Sequence, residues 1–328
     1  MLTLCIPRTM KPRLLQTAIR IIACLLFLGV LARIIDWQLM RDAMQYVHLE
    51  ILALATLLYL CNIAIRAYRW QRLFNKDALE MSFKDAYLIT LVGTALNIFI
   101  PATLGDLARS YYGYKRYGLK EQMVSTVLSD KVFALCSLFL FGGISGFIMG
   151  YYGLGCLSLA LAAATCLPLF FPRTIPWNLV NTFLNVFKKS LDVDKLVRAF
   201  TLPVRLKFEA MVLSFGVWLC TCVFFYSLCT AFPVTVRFGY ILLIMPILTI
   251  VRLFPFTVNS LGPPEIALAY FFHSLGINST FAVLISLLSN LLASIIPGTI
   301  GFLIIITQRH KKPHHIRLEN NVDKISGA

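Results

Sequence analysis

Charged residues are scarce in this chain: they make up 14% of its 328 residues, whereas hydrophobic residues make up 59%. The apolar stretches are spread over nearly the whole length, so no block of ordinary polarity is long enough for a soluble catalytic domain. Several apolar runs reach the roughly eighteen residues at which a run is interpreted as membrane-spanning. The composition therefore predicts one all-α polytopic membrane domain over residues 1–328.

Two common signals of enzyme chemistry are also missing. No Gly-rich phosphate loop ending in Lys-Ser/Thr is present, which argues against ATP hydrolysis. The 9 cysteines have no metal-ligand spacing supported by histidines, so we expect no metal and no other cofactor. Cysteines within apolar segments, such as Cys136 and Cys166, are expected to be small packing residues. His310, His314 and His315 lie in a basic tail typical of contact with anionic lipids.

Acidic residues are few as well: 15 Asp and Glu stand against 30 Lys and Arg, a net charge of +15. The basic residues occur in short clusters between apolar runs, a pattern that sets the topology of membrane proteins. Nucleic acid is therefore not an expected partner. Arg66, Arg69 and Arg72 with Trp70, at the end of one run, are interpreted as an interfacial anchor.

The apolar residues form eight segments, the first of which we expect to be an uncleaved signal anchor. Polar, basic residues form a predicted cytoplasmic linker, 172–209, and a cytoplasmic tail, 308–328. The eight segments are Leu14–Ile35, Leu49–Ala67, Phe83–Ile100, Gln122–Ile148, Gly153–Phe171, Ala210–Phe232, Tyr240–Val258 and Phe281–Thr307.

Two of these segments are interrupted by similar stretches of sequence, which we expect to break their helices. The first runs from Asn97 to Arg109 and the second from Arg252 to Glu265. Each has a proline, then a Leu-Gly pair, then an acid. The residues assigned to shape, because they interrupt helices and allow tight turns, are Pro101, Gly105, Pro255 and Gly262.

The distribution of basic residues decides between two topologies. If all eight segments cross, 15 Lys and Arg lie inside and 13 outside; if the two interrupted segments re-enter on the same side, 25 lie inside and 3 outside. The positive-inside rule favours the second arrangement. We therefore predict six full transmembrane helices and two re-entrant broken-helix hairpins in the cytoplasmic (inner) membrane, with both termini cytoplasmic.

Three full crossings separate the two hairpins, which places the hairpins on opposite sides of the membrane. The chain is then an inverted repeat with halves of about 49–171 and 208–307. Transporters commonly bind substrate where two such halves meet, at the ends of broken helices. We accordingly expect Asp106 and Glu265 to approach each other across a pseudo-two-fold axis.

At these residues the sequence resembles the flippase-like membrane domain of lysylphosphatidylglycerol synthases, in particular stand-alone members without the soluble synthase domain. The resemblance implies translocation of phospholipids, aminoacylated lipids or polyprenyl-phosphate carriers. Two features depart from the family pattern: Pro263-Pro264 replaces Gly-rich sequence, and Asp130-Lys131 replaces an acid-Arg pair. The resemblance is carried by Arg69-Trp70, Asn97, Pro101, Gly105-Asp106-Leu-Ala-Arg109, Pro255 and Leu261-Gly262-Pro-Pro-Glu265.

Ionisable residues at membrane depth cost of order 3 kcal/mol on insertion scales and are candidate site residues by default. Arginines would hold a phosphate, acids would accept from amines or bind a coupling proton, and the asparagines would cap broken helices or contact ligand. Two structural alternatives remain: internal salt bridges, and a Lys131 that snorkels to the interface. The predicted substrate-binding residues are Asn97, Asp106, Arg109, Asp130, Lys131, Arg252, Asn259 and Glu265.

The leading hypothesis is a flippase-like transporter for a phospholipid or polyprenyl-phosphate-linked lipid, acting in the same pathway as a lipid-modifying enzyme. One alternative is an integral-membrane transferase, for which Asp36 and Asp42 after the first segment are the candidate acids. Its weakness is that the predicted external loops are too short to enclose a sugar. The other alternative is a non-catalytic accessory subunit.

Overall fold

A computed structural model of the protein describes residues 26–27, 29–30, 32–33, 35–45, 47–75, 80–99, 105–171, 201–253 and 262–308. Within these ranges all regular secondary structure is helical. Pro101, Pro255 and Asn259, together with most of the predicted first segment, lie outside the described residues.

The helices, numbered in chain order, follow the apolar segments. A π-helical turn, Leu291–Ile295, connects the last two helices. The helices are α1 Trp37–Gln45, α2 Leu49–Phe74, α3 Phe83–Phe99, α4 Gly105–Tyr117, α5 Lys120–Ile148, α6 Tyr152–Phe170, α7 Val204–Thr230, α8 Phe238–Leu253, α9 Pro263–Ser274, α10 Ser279–Asn290 and α11 Ile296–Gln308.

Within the part of the chain that the structure describes, five helical segments are long and apolar enough to cross a membrane. Each coincides with a predicted full crossing, although α7 begins at Val204, inside the predicted linker. The chain is therefore an all-α polytopic membrane protein. The five segments are Leu49–Phe74, Gln122–Ile148, Tyr152–Phe170, Val204–Thr230 and Ser279–Thr307.

Each of the two segments predicted to be interrupted contains a short helix within the described residues. α3 has 17 residues and α8 has 16, which corresponds to about 25 Å of helix, less than the roughly 30 Å of a bilayer core. α3 ends at Phe99 before α4 begins at Gly105, and α8 ends at Leu253 before α9 begins at Pro263. Each short helix packs against the helix that follows it.

The order and lengths of the helices recur along the chain. α2 and α7 have 26 and 27 residues, and α4 and α9 have 13 and 12. α5 has 29 residues, as does the continuous segment Ser279–Thr307. With α3 and α8 included, four successive elements, α2 to α5, are each matched in length by the corresponding element of the series that begins with α7.

α2 and α7 pack antiparallel to each other over most of their length. The rings of Tyr59, in the central part of α2, and Phe224 lie 5.2 Å apart. At the end of α2, Arg72 Nε donates to Glu209 Oε1, near the start of α7, over 2.7 Å. Residue numbers rise along one helix as they fall along the other, so α2 and α7 point in opposite directions.

Half of the buried apolar side chains in the described residues lie in one large cluster, formed mainly by α7 to α10, where Leu228, Phe272 and Ile285 are almost completely inaccessible. Cys136 and Cys166 form a disulfide that joins α5 to α6. The expectation that these two cysteines are only packing residues is therefore wrong, because the packing of the two helices brings their sulfur atoms together.

Candidate functional site: a buried charge cluster

The last turns of α2 present three large polar or aromatic side chains to the interior. Arg66, Arg69 and Trp70 share one helix face because they are spaced three and four residues apart. Arg69 and Trp70 are 1% and 0% exposed. The prediction of an interfacial anchor is wrong for these two residues, whereas Arg72, paired with Glu209, is 44% exposed at the end of the helix.

α4 begins next to the last turn of α3. A Cβ atom at Gly105 would lie 2.3 Å from the backbone N of Asn97, so only glycine permits this approach. The Asn97 side chain then bonds Asp106 twice: Asn97 Nδ2 donates to Asp106 Oδ1 over 3.0 Å, and the Asp106 N–H donates to Asn97 Oδ1 over 3.2 Å. Asn97 thus positions the acid at the start of α4.

Asp130 on α5 accepts from two arginines on two other helices. Arg69 Nε lies 2.6 Å from Asp130 Oδ1, and Arg109 Nη2 lies 2.5 Å from Asp130 Oδ2. Arg69 also donates from Nη1 to Ser214 Oγ of α7, over 2.7 Å. All three charged side chains are almost completely buried. This carboxylate therefore connects α2, α4 and α5.

Asp106 holds the other two basic residues. Arg66 Nη2 lies 3.5 Å from Asp106 Oδ1, and Lys131 Nζ contacts Asp106 Oδ2. The Asp106 side chain is 2% exposed, whereas Arg66 and Lys131 are 18% and 27% exposed. Because Lys131 pairs with this buried carboxylate, its amine is held in the cluster and does not simply extend to the membrane interface.

Arg109 is the most enclosed member of the cluster. Its guanidinium carbon lies 4.8 Å from the centre of the Trp70 ring, a cation–π arrangement, and Trp70 in turn donates from Nε1 to Thr126 Oγ1 over 3.2 Å. Arg109 Nε and Nη1 have no hydrogen-bond partner within the described part of the chain. Unsatisfied buried donors of a charged group are costly, so this arginine has unused binding capacity.

The acid of the second half has different surroundings. Glu265 is 2% exposed and accepts from the Gly262 N–H over 2.6 Å and from Ser286 Oγ over 3.1 Å. Gly262 has φ +108°, in the left-handed region that favours glycine. Among the described residues, no basic side chain lies within ion-pair distance of Glu265.

The hydrogen-bond and ion-pair partners described for Asp106 and for Glu265 have no residue in common. α4 packs chiefly against α3 and α5, whereas α9 packs chiefly against α10 and α8. The approach of the two acids across a symmetry axis stays a prediction. Arg252 lies in the last turn of α8.

The structure thus brings five of the predicted residues into one cluster, namely Asn97, Asp106, Arg109, Asp130 and Lys131. Sequence reasoning missed Arg66 and Arg69 as members. Their spacing on one face of α2 was a usable signal, but basic and aromatic residues at the end of an apolar run are equally typical of an interfacial anchor.

Long apolar helices that enclose a paired set of charges define an integral membrane protein with a polar site inside its helix bundle. The model of the family described as the lysylphosphatidylglycerol synthase TM region matches residues 18–301. The chain belongs to this family. No curated protein matches it significantly.

Proposed function

We propose that this protein is a flippase-like transporter that moves a phospholipid or a polyprenyl-phosphate-linked lipid across the cytoplasmic membrane. The observation that carries the proposal is the set of six charged side chains enclosed by α2, α4 and α5. Ionisable residues within membrane helices are costly and are functional by default. Membership of a family related to lipid handling points to a lipid headgroup as the ligand.

A purely structural role for the cluster explains less. Buried ionic networks stabilise a fold only when every charge and donor is satisfied. Here the basic side chains outnumber the acids, and Arg109 has two nitrogens without a partner in the described chain. Both features reduce stability, and both suit the binding of an anionic group.

The proposal includes the two re-entrant hairpins, α3 with α4 and α8 with α9. Three observations support them: the short helices would not span the bilayer core, each packs on its successor, and the positive-inside rule favours their return. Irregular backbone at membrane depth is tolerated where protein or a wet cavity surrounds it. Both termini are then cytoplasmic.

The proposal also includes an inverted repeat. The starts of α2 and α7, and likewise of α3 and α8, lie 155 positions apart, the same separation as between Asn62 and Val217. Asn62 Nδ2 donates to the Val217 carbonyl over 2.6 Å. Equivalent positions of two antiparallel helices therefore touch, as they do on a two-fold axis in the membrane plane. That axis would cross the α2–α7 pair at Asn62.

Transport would proceed by rocking one half against the other, so that the site opens alternately to each side. Glu265 corresponds to Asp106 in this repeat and, without a basic partner among the described residues, it is the candidate to bind a coupling proton. Movement is downhill or coupled to an ion gradient, because the sequence has no nucleotide-hydrolysing motif.

The test is translocation of fluorescent anionic, zwitterionic and polyprenyl-phosphate lipids in liposomes that contain the purified protein. Arg109→Lys keeps the positive charge but removes the planar, forked arrangement of donors, and we expect it to slow translocation about tenfold or more. Arg116→Lys, in the same helix but paired with Asp85, is the matched control and should retain the wild-type rate. Wild-type liposomes that translocate no lipid faster than protein-free liposomes would overturn the proposal.

A further inference from the structure

The charge cluster does not balance. Among the described residues, four basic side chains, Arg66, Arg69, Arg109 and Lys131, surround two carboxylates, Asp106 and Asp130, which leaves an excess of two positive charges in this part of the chain. Uncompensated charge is expensive in a site of low dielectric constant. A ligand that brings negative charge would therefore be favoured, and one that brings positive charge would be opposed.

The two carboxylates differ in how accessible their partners are. The Asp130 side is closed, because its partners Arg69 and Arg109 are 2% and 0% exposed. The Asp106 side is open, because Arg66 and Lys131 are 18% and 27% exposed. A ligand that approaches the cluster reaches these two cations first. Both of them are held by the same acid.

We propose that an anionic phosphate headgroup binds between Arg66 and Lys131 by exchanging with the Asp106 carboxylate, and that the excess charge selects lipids whose headgroup is net negative. The ligand class is a phosphate monoester or diphosphate on a lipid, in preference to a zwitterionic or aminoacylated cationic headgroup. The inference rests on the proposed function only in taking this ligand to be the transported lipid.

Phosphate suits this pair of side chains. A guanidinium presents several donors in a plane that matches phosphate oxygens, and a lysine amine contributes a compact positive charge. Asp106 is an internal competitor for the same two groups. Once it is displaced, Asn97 still donates to its Oδ1, so the carboxylate keeps a partner. Arg109, with two unpaired nitrogens in the described structure, adds positive potential behind the site.

The opposite assignment, in which Asp106 receives a lipid amine, fits less well. Asp106 already has two basic partners, Arg66 and Lys131, and an amide donor, Asn97. An incoming ammonium would add a like charge beside both cations, and like charges at this range repel. The two assignments predict opposite changes in lipid affinity when Asp106 is replaced, so an experiment can distinguish them.

Binding is measured on the purified full-length protein in neutral detergent. The probes are dioctanoyl phosphatidic acid, dioctanoyl phosphatidylcholine, a short-chain lysyl-phosphatidylglycerol and inorganic phosphate. We expect phosphatidic acid to bind about tenfold or more tightly than the zwitterionic and cationic lipids, since charge-assisted hydrogen bonds are the strong ones. Inorganic phosphate that binds as tightly as phosphatidic acid would contradict a lipid ligand.

Substitutions then test the exchange. Asp106→Asn removes the competitor and should tighten binding of phosphatidic acid, whereas Arg66→Gln and Lys131→Gln should weaken it about tenfold. Asp85→Asn and Arg72→Gln change the charge by the same amounts in ion pairs outside the cluster and should leave affinity unchanged. Weaker binding to a folded Asp106→Asn variant, or a preference for the cationic lipid, overturns the inference.

If the variants do not fold, the headgroup ranking of the wild-type protein decides the inference alone. The ranking is also independent of transport. A protein that ranks lipids as expected but translocates none in liposomes contradicts the proposed function and supports the binding site. A protein that translocates lipids but prefers cationic headgroups supports the proposed function and contradicts the binding site.

Discussion

Arg109 and Asp130 form a 2.5 Å ion pair in which both side chains are almost completely buried, and the same carboxylate also holds Arg69. The pair connects α4 to α5, a helix long and apolar enough to cross a membrane. Together with Arg69, this ion pair joins α4 to two long helices, α2 and α5.

The Asp130 carboxylate should contribute strongly to stability. Asp130→Asn leaves Arg69 and Arg109 buried without a counter-ion, and breaking a buried pair in this way costs about 3–5 kcal/mol. Denaturant unfolding in detergent, followed by tryptophan fluorescence, measures the loss. Glu209→Gln breaks the more exposed pair with Arg72, where a loss of about 0–1 kcal/mol is expected. Equal losses in the two variants would contradict the network described for Asp130.

The contact between α3 and α4 at Gly105 should not tolerate a side chain. Gly105→Ala would place a Cβ atom 2.3 Å from the backbone N of Asn97, and overpacking of this kind costs about 1–3 kcal/mol. The two bonds between Asn97 and Asp106 would lengthen as the helices separate. Lower thermal stability in detergent, together with altered lipid binding, is the expected result.

The matched control for this substitution is Gly216→Ala in α7. A Cβ atom at Gly216 has nothing within 4 Å, and alanine is a better helix former than glycine by up to about 1 kcal/mol. We therefore expect unchanged or slightly higher stability. If Gly105→Ala is as stable as the control, the close approach of α4 to α3 does not require glycine at position 105.

The re-entrant topology can be tested with reporters inserted at two turns. A fluorescent protein that folds only inside the cell should be active at Gly118, between α4 and α5. A phosphatase that is active only outside should be active at Gly150, between α5 and α6. If the two interrupted segments cross fully, one more passage through the membrane precedes each turn. Gly118 then lies outside the cell and Gly150 inside, so neither reporter is active.

Much of the fold could be predicted from local sequence. The five long spans follow from runs of apolar residues that satisfy their backbone hydrogen bonds within each helix, a requirement that does not depend on neighbours. The ends of α3 and α8 lie close in sequence to prolines and glycines. The backbone conformations that these residues permit also depend on the local sequence alone. Asp106, Arg109, Asp130 and Lys131 were identifiable because charge within an apolar run is costly wherever the chain folds.

Which charged side chains pair with each other, in contrast, was decided by the tertiary structure. Asp130 pairs with Arg69, 61 positions away, and Arg69 reaches Ser214, 145 positions away. The spacing of Arg66 and Arg69 places them on one face of α2, but it does not decide whether that face meets the bundle or the interface, since arginines of both kinds occur at the end of an apolar run. The sequence by itself determined a membrane-embedded helical chain with charges inside it. The packing of α2, α4 and α5 determined that the charges form one cluster with a positive excess, because distances between helices depend on every side chain at their contacts.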